Sequence, residues 1–111
     1  MEREQLYHRL TAIVLFFVAF VVYFLTIAPT TSFWDCGEFI TCAYILGVPH
    51  PPGAAFYLLL GRIFTLIPWT ADIGLRVNII SALTTALTVM FTYLIIARLI
   101  IIWRGKAQTI E

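Results

Sequence analysis

Residues 10–28 read LTAIVLFFVAFVVYFLTIA, about 19 residues without a charge, and this run decides the class of fold. At 1.5 Å per residue a helix of roughly 20 apolar residues crosses the hydrocarbon core of a bilayer. A cleaved signal peptide is the rival, because Arg3 and Arg9 precede the run. Its apolar stretch, however, exceeds the roughly 7–15 residues of such peptides, and Pro29 stands where a small-residue cleavage site would be needed. Leu10–Ala28 therefore reads as a first span. The composition agrees: 61% of residues are hydrophobic, 12% are charged and the mean hydropathy is +0.95, against roughly 25% charged residues in a soluble domain.

Working outward, a second long apolar stretch covers residues 75–103, with Arg98 able to snorkel to the headgroups and Trp103, Arg104 and Lys106 as an interfacial anchor. Five of the seven Lys and Arg residues lie toward the two chain ends. The positive-inside rule then places both termini in the cytoplasm, with a tail at 104–111, and turns residues 29–74 outward. A net charge of +1 without a basic cluster argues against a nucleic-acid partner. The expected fold is an all-α membrane protein in which two transmembrane helices are joined by an outward segment with two short interfacial helices. The first of these is expected over 33–46, capped by Ser32 and stopped at Gly47. Residues 50–53, HPPG, break the chain, and the second runs from 54 to about 67 with a narrow polar stripe of Tyr57, Gly61, Arg62 and Thr65.

The residues with chemistry lie in this outward segment. On a helix, Asp35 and Glu38 fall about 60° apart and share a face. Two carboxylates so placed raise one pKa for proton transfer, or bind a cation or an arginine. Equally, they are first-turn acids that complement the helix dipole. His50 precedes a Pro-Pro pair that restricts its orientation. Arg62 and Arg76 are the cations of the segment and can clamp a phosphate, contact headgroups or pair with an acid. Cys36 and Cys42, six apart on one helix and so about 9 Å apart along its axis, are too distant for a disulfide and read as small residues at a helix contact. No CxxC pair exists and His50 is the one nearby nitrogen ligand, so no metal site is assigned.

The run PTTSFWDCGEF at 29–39, with His50-Pro51-Pro52-Gly53 and Leu60-Gly61-Arg62, resembles the N-terminal layout of type C membrane glycosyltransferases. Within them it is similar to a subfamily that includes a eukaryotic transmembrane protein O-mannosyltransferase. The resemblance implies transfer of a sugar, a hexose such as mannose, from a polyprenyl-phosphate carrier to a hydroxyl on an acceptor protein or glycan. The reaction would take place at the outer face of the cell inner (plasma) membrane. It implies Asp35 as the base toward the acceptor, with Glu38 orienting the acceptor or tuning Asp35, and His50, Arg62 and Arg76 toward the lipid phosphate; a divalent metal is compatible with such a site. Family members have many more spans, so the chain reads as the N-terminal part of such an enzyme, inactive alone. Two other readings are a small two-span structural or assembly subunit and a channel-like re-entrant element, the latter disfavoured by the positive charge of His50, Arg62 and Arg76. Continuation of the reading frame into further apolar spans separates the enzyme from the subunit.

Overall fold

The computed structural model describes residues 2–108. It contains four helices in the order α1 (Glu2–Leu25), α2 (Cys36–Ile45), α3 (Ala55–Leu66) and α4 (Ile73–Gln108), and no strand among the described residues. The fold is all-α, as expected. α1 and α4 are long and apolar enough to cross a membrane, and only 6% of the apolar window of each is buried. A core helix of a soluble protein would be mostly buried, so these exposed apolar surfaces mark a membrane protein. At 10 and 12 residues, α2 and α3 are each too short to span.

The helix ends follow local chemistry. α1 stops at Leu25, ahead of Pro29, because the residue before a proline avoids the helical region. Asn78 Nδ2 donates to the released carbonyls of Ala28 at 3.0 Å and Thr30 at 2.8 Å. Contrary to the sequence expectation, α2 begins at Cys36 with Asp35 as its N-cap position, and Ser32 does not cap it. The cause is Trp34, whose φ of 62° is left-handed and keeps the chain out of the helix until Asp35, whose carbonyl accepts from the Phe39 N–H at 3.0 Å. α2 ends at Ile45, and Leu46 (φ 56°) takes the left-handed position usually given to glycine. The Gly47 N–H then donates to the Cys42 carbonyl at 2.9 Å, closing the helix. α3 opens behind Gly53 (φ 93°) and Ala54 (φ 45°).

α4 starts on Asp72, whose Oδ1 accepts the Leu75 N–H at 3.1 Å. It continues as helix through the basic residues expected to form the tail, up to Gln108; residues 109–111, the end of that expected tail, lie outside the described residues.

The chain divides into two compact units, residues 24–83 and the two flanking parts taken together. In the first, Ile40, Cys42 and Ala43 of α2, Leu58 of α3, and Val77 and Ile80 of α4 form the core. Both cysteines are free, Cys42 buried and Cys36 partly so. The approach of α2 to α3 depends on Gly61, where a Cβ would lie 2.8 Å from the Ala43 Cβ. In the second unit Ala12 and Ala86 are buried, and His8 Nδ1 lies 2.9 Å from Tyr93 Oη.

Candidate functional site

The connector between α2 and α3 is turned back on itself by the Gly53 N–H, which donates to the His50 carbonyl at 3.1 Å. This turn brings His50 to the first turn of α2. There one Glu38 oxygen, Oε1, accepts the His50 backbone N–H at 2.8 Å, and the other, Oε2, lies 2.8 Å from the ring Nδ1. The Phe39 ring meets the imidazole edge to face at 5.8 Å, and Tyr57 meets Phe39 in the same way at 6.0 Å. The imidazole is thus held through its backbone, one ring nitrogen and one edge. Its remaining nitrogen, Nε2, faces Asp35 Oδ2 at 3.9 Å.

The electrostatics follow from this contact. The hydrogen bond from His50 holds the Glu38 carboxyl below the usual carboxylate range. The same bond, helped by the charges of Glu38 and then Asp35, pushes the His50 imidazole above its ordinary value. All three groups are exposed, so the pair is screened by water and acts mainly to orient. Burial raises the Tyr57 hydroxyl. One oxygen each from Asp35 and Glu38 and one nitrogen of His50 lie within 4.8 Å of one another. That spacing serves either a protonated imidazole shared by two carboxylates or a single divalent cation with oxygen and nitrogen ligands.

Of the five residues singled out in the sequence, the fold gathers Asp35, Glu38 and His50. The two arginines have other partners. Arg62 donates through Nη1 to the Tyr44 carbonyl at the end of α2, and its guanidinium lies 5.8 Å from the Tyr44 ring centre. Arg76 donates through Nη1 to the Thr65 carbonyl at 2.8 Å, and through Nε (2.6 Å) and Nη2 to the Thr70 carbonyl. Each arginine satisfies carbonyls that a helix end or turn leaves without a backbone donor. Phe39, whose ring meets the imidazole, escaped the sequence reading as one apolar residue among many. Outside the cluster, the amide of Asn78 at the head of an apolar helix signalled the polar tie it makes to Ala28 and Thr30.

The family model of the protein O-mannosyl-transferase TMEM260 N-terminal domain matches residues 35–111, a range that contains all five residues. The chain is similar to protein O-mannosyl-transferase tmem260 of Dictyostelium discoideum, with 33% identity over 84 residues, covering 74% of this chain and 10% of that protein. It is likewise similar to protein O-mannosyl-transferase TMEM260 of Mus musculus, with 35% identity over 79 residues, covering 70% of this chain and 11% of that protein. The chain thus spans about a tenth of the length of the curated relatives it matches. No solved structure matches it.

Proposed function

Since the chain belongs to the family of the TMEM260 N-terminal domain, we propose that it forms the first membrane-embedded part of a glycosyltransferase. The donor is a hexose, mannose or a near relative, on a polyprenyl phosphate, and the acceptor is a protein or glycan hydroxyl. The reaction takes place on the outer face of the cell inner (plasma) membrane, with both termini of this segment cytoplasmic. The observation that carries this reading is the meeting of Asp35, Glu38 and His50 within the stretch matched to the family.

In this reading Asp35 accepts the proton of the acceptor hydroxyl as its oxygen bonds to the anomeric carbon. The bond from that carbon to the carrier phosphate breaks, and the phosphate leaves with the electron pair. General-base help of this kind is worth about 10²–10⁴-fold. Glu38 positions His50, whose Nε2 stands beside Asp35 and meets the acceptor or the departing phosphate as a cation. Arg62 and Arg76 serve the phosphate with the N–H groups that their carbonyl contacts leave over. A divalent ion held by the three clustered groups would supply charge stabilisation at the same place.

The test is sugar transfer from a polyprenyl-phosphate donor by the full-length protein in lipid, with and without divalent metal. Asp35→Asn keeps size and removes the base, so transfer is expected to vanish with expression unchanged; Glu38→Gln is expected to cost less. His50→Ala and Arg76→Ala are expected to weaken donor use about ten- to a hundred-fold. Full activity in Asp35→Asn removes its role. The engagement of Arg62 and Arg76 with backbone carbonyls favours one second reading, a structural subunit, and absence of transfer from any lipid-linked sugar would select it.

A further inference from the structure

The other compact unit holds a feature that the transferase reading does not use. A cavity of about 370 Å³ opens between the basic parts of α1 and α4, lined by Gln5, His8 and Arg9 on one side and by Leu94, Arg98 and Ile101 on the other. Positions 5, 8 and 9, and likewise 94, 98 and 101, fall on one stripe of their helix. Among the described residues no carboxylate lines the cavity, and neither Arg9 nor Arg98 takes part in an ion pair. Two guanidinium groups therefore border one polar opening to which the described residues bring no counter-charge.

The depth of Arg98 sharpens the question. Beyond it the chain continues with Leu99, Ile100, Ile101, Ile102 and Trp103 before the next cation, Arg104, about 9 Å further along the helix axis. Arg98 thus lies on the apolar side of the interface, where a cation requires a partner or a path to water. The cavity gives it a path to water but no partner, since across from it stands Arg9, a like charge that directly precedes the apolar run of α1. His8 stands on the rim, turned by the Tyr93 hydroxyl on its Nδ1. With that hydroxyl donating, Nε2 carries the ring proton and is a further donor. A second cavity of about 260 Å³ shares His8 and Ile101 and continues along Ile96 and Ile100, which are 52% and 44% exposed. A small inorganic anion has no use for that apolar extension, whereas a lipid tail does.

We propose that this groove is a binding site for one anionic phospholipid, whose phosphodiester bridges Arg9 and Arg98 while an acyl chain runs along Ile96 and Ile100. Charge attraction and chain burial act together here, and a zwitterionic lipid gains less because its own ammonium opposes the two arginines.

The experiment uses the 111-residue chain in phosphatidylcholine vesicles containing a trace of spin-labelled phosphatidylglycerol or spin-labelled phosphatidylcholine, reading the immobilised fraction by electron paramagnetic resonance. Phosphatidylglycerol is expected to be preferred, with roughly five-fold of the preference lost per arginine removed. Arg9→Gln/Arg98→Gln should bring the two labels level. Arg3→Gln removes the same charge from α1 outside the groove and should retain the preference. Arg98→Lys, which keeps the charge at lower risk to folding, should retain most of it. Equal immobilisation of both lipids by the native chain would overturn the proposal, as would an equal loss in Arg3→Gln. Abolition of the preference by inorganic phosphate, but not by chloride of matched ionic strength, would assign the site to free phosphate and equally overturn it.

Discussion

Replacing Gly61 by alanine tests the packing on which the Asp35–Glu38–His50 cluster rests. The added Cβ would lie 2.8 Å from the Cβ of Ala43, a residue with no exposed surface. Carbon atoms in good contact stand about 3.5–4.0 Å apart, and an alanine methyl has no rotamer into which it can retreat. On its other side Gly61 is bounded by Val77 Cγ1 at 3.8 Å. Relief must therefore come from α2 and α3 parting by about 1 Å. Overpacking of this kind costs ~1–3 kcal/mol, offset by the ~1 kcal/mol that alanine gains over glycine within a helix, which leaves a net loss of ~1 kcal/mol.

The assay is reversible unfolding of the chain in mixed micelles by titration with sodium dodecyl sulfate, followed by circular dichroism. Ala43→Gly alone removes the opposing methyl and lowers stability through helix propensity. The swap Ala43→Gly/Gly61→Ala restores the separation and should return close to the native value, with a favourable coupling of ~1–2 kcal/mol. Because α2 carries Glu38 and begins directly after Asp35, the single Gly61→Ala variant should, on the proposed function, also impair transfer by the full-length protein, up to ~10²-fold for a displacement of ~1 Å at reacting groups. A Gly61→Ala protein as stable as the native one, or a swap showing no coupling, would refute the close approach of the two helices.

Other expectations concern the same unit. Glu38→Gln removes the main cause of the raised His50 value, so the imidazole should titrate closer to its ordinary range by nuclear magnetic resonance; an unchanged titration would refute the ring contact. The folded His50 value is raised, so its share of local stability is full below about pH 6.5 and is lost as pH rises through the folded value. The folded Glu38 value is lowered, so its share is full above about pH 4.3 and is lost as pH falls through its folded value. The protection factor of the His50 amide, measured by hydrogen exchange, should therefore be highest between these limits. Arg76→Lys keeps the charge but replaces the fork of Nε, Nη1 and Nη2 that spans the Thr65 and Thr70 carbonyls by a single nitrogen. It should lower stability in the micelle titration by ~1.5–3 kcal/mol, and no change would show those contacts to be idle.

The long helices were legible because an uncharged run of bilayer length is a one-dimensional signal, and α3 because HPPG and Pro68 bracket an apolar stretch. The start of α2 was not. Ser32 followed by Asp35 has the look of a cap, but Trp34 takes a left-handed φ that nothing in a tryptophan side chain announces. The helix stop was anticipated at Gly47, while the left-handed residue is Leu46, since the six-to-one bond from Gly47 asks for that conformation one position earlier. In the site, the shared face of Asp35 and Glu38 follows from helical period alone. The arrival of His50 on Glu38 depends on how the proline turn folds back, which residue spacing only suggests. Arg62 and Arg76 were read by charge, whereas their observed partners, the carbonyls of Tyr44, Thr65 and Thr70, are set by where helix ends meet in space.

The small buried share of α1 and α4 also bears on how the chain is made. With so little of either apolar surface covered by the described residues, each helix is apolar enough to enter the lipid on its own partitioning. An aspartate in the apolar run of α1, at Val18 for example, carries an insertion cost of ~3 kcal/mol, and the described residues offer little surface to shelter it. Such a substitution would act during synthesis, by diverting the first helix from the bilayer before Asp35, Glu38 or His50 had emerged to be arranged.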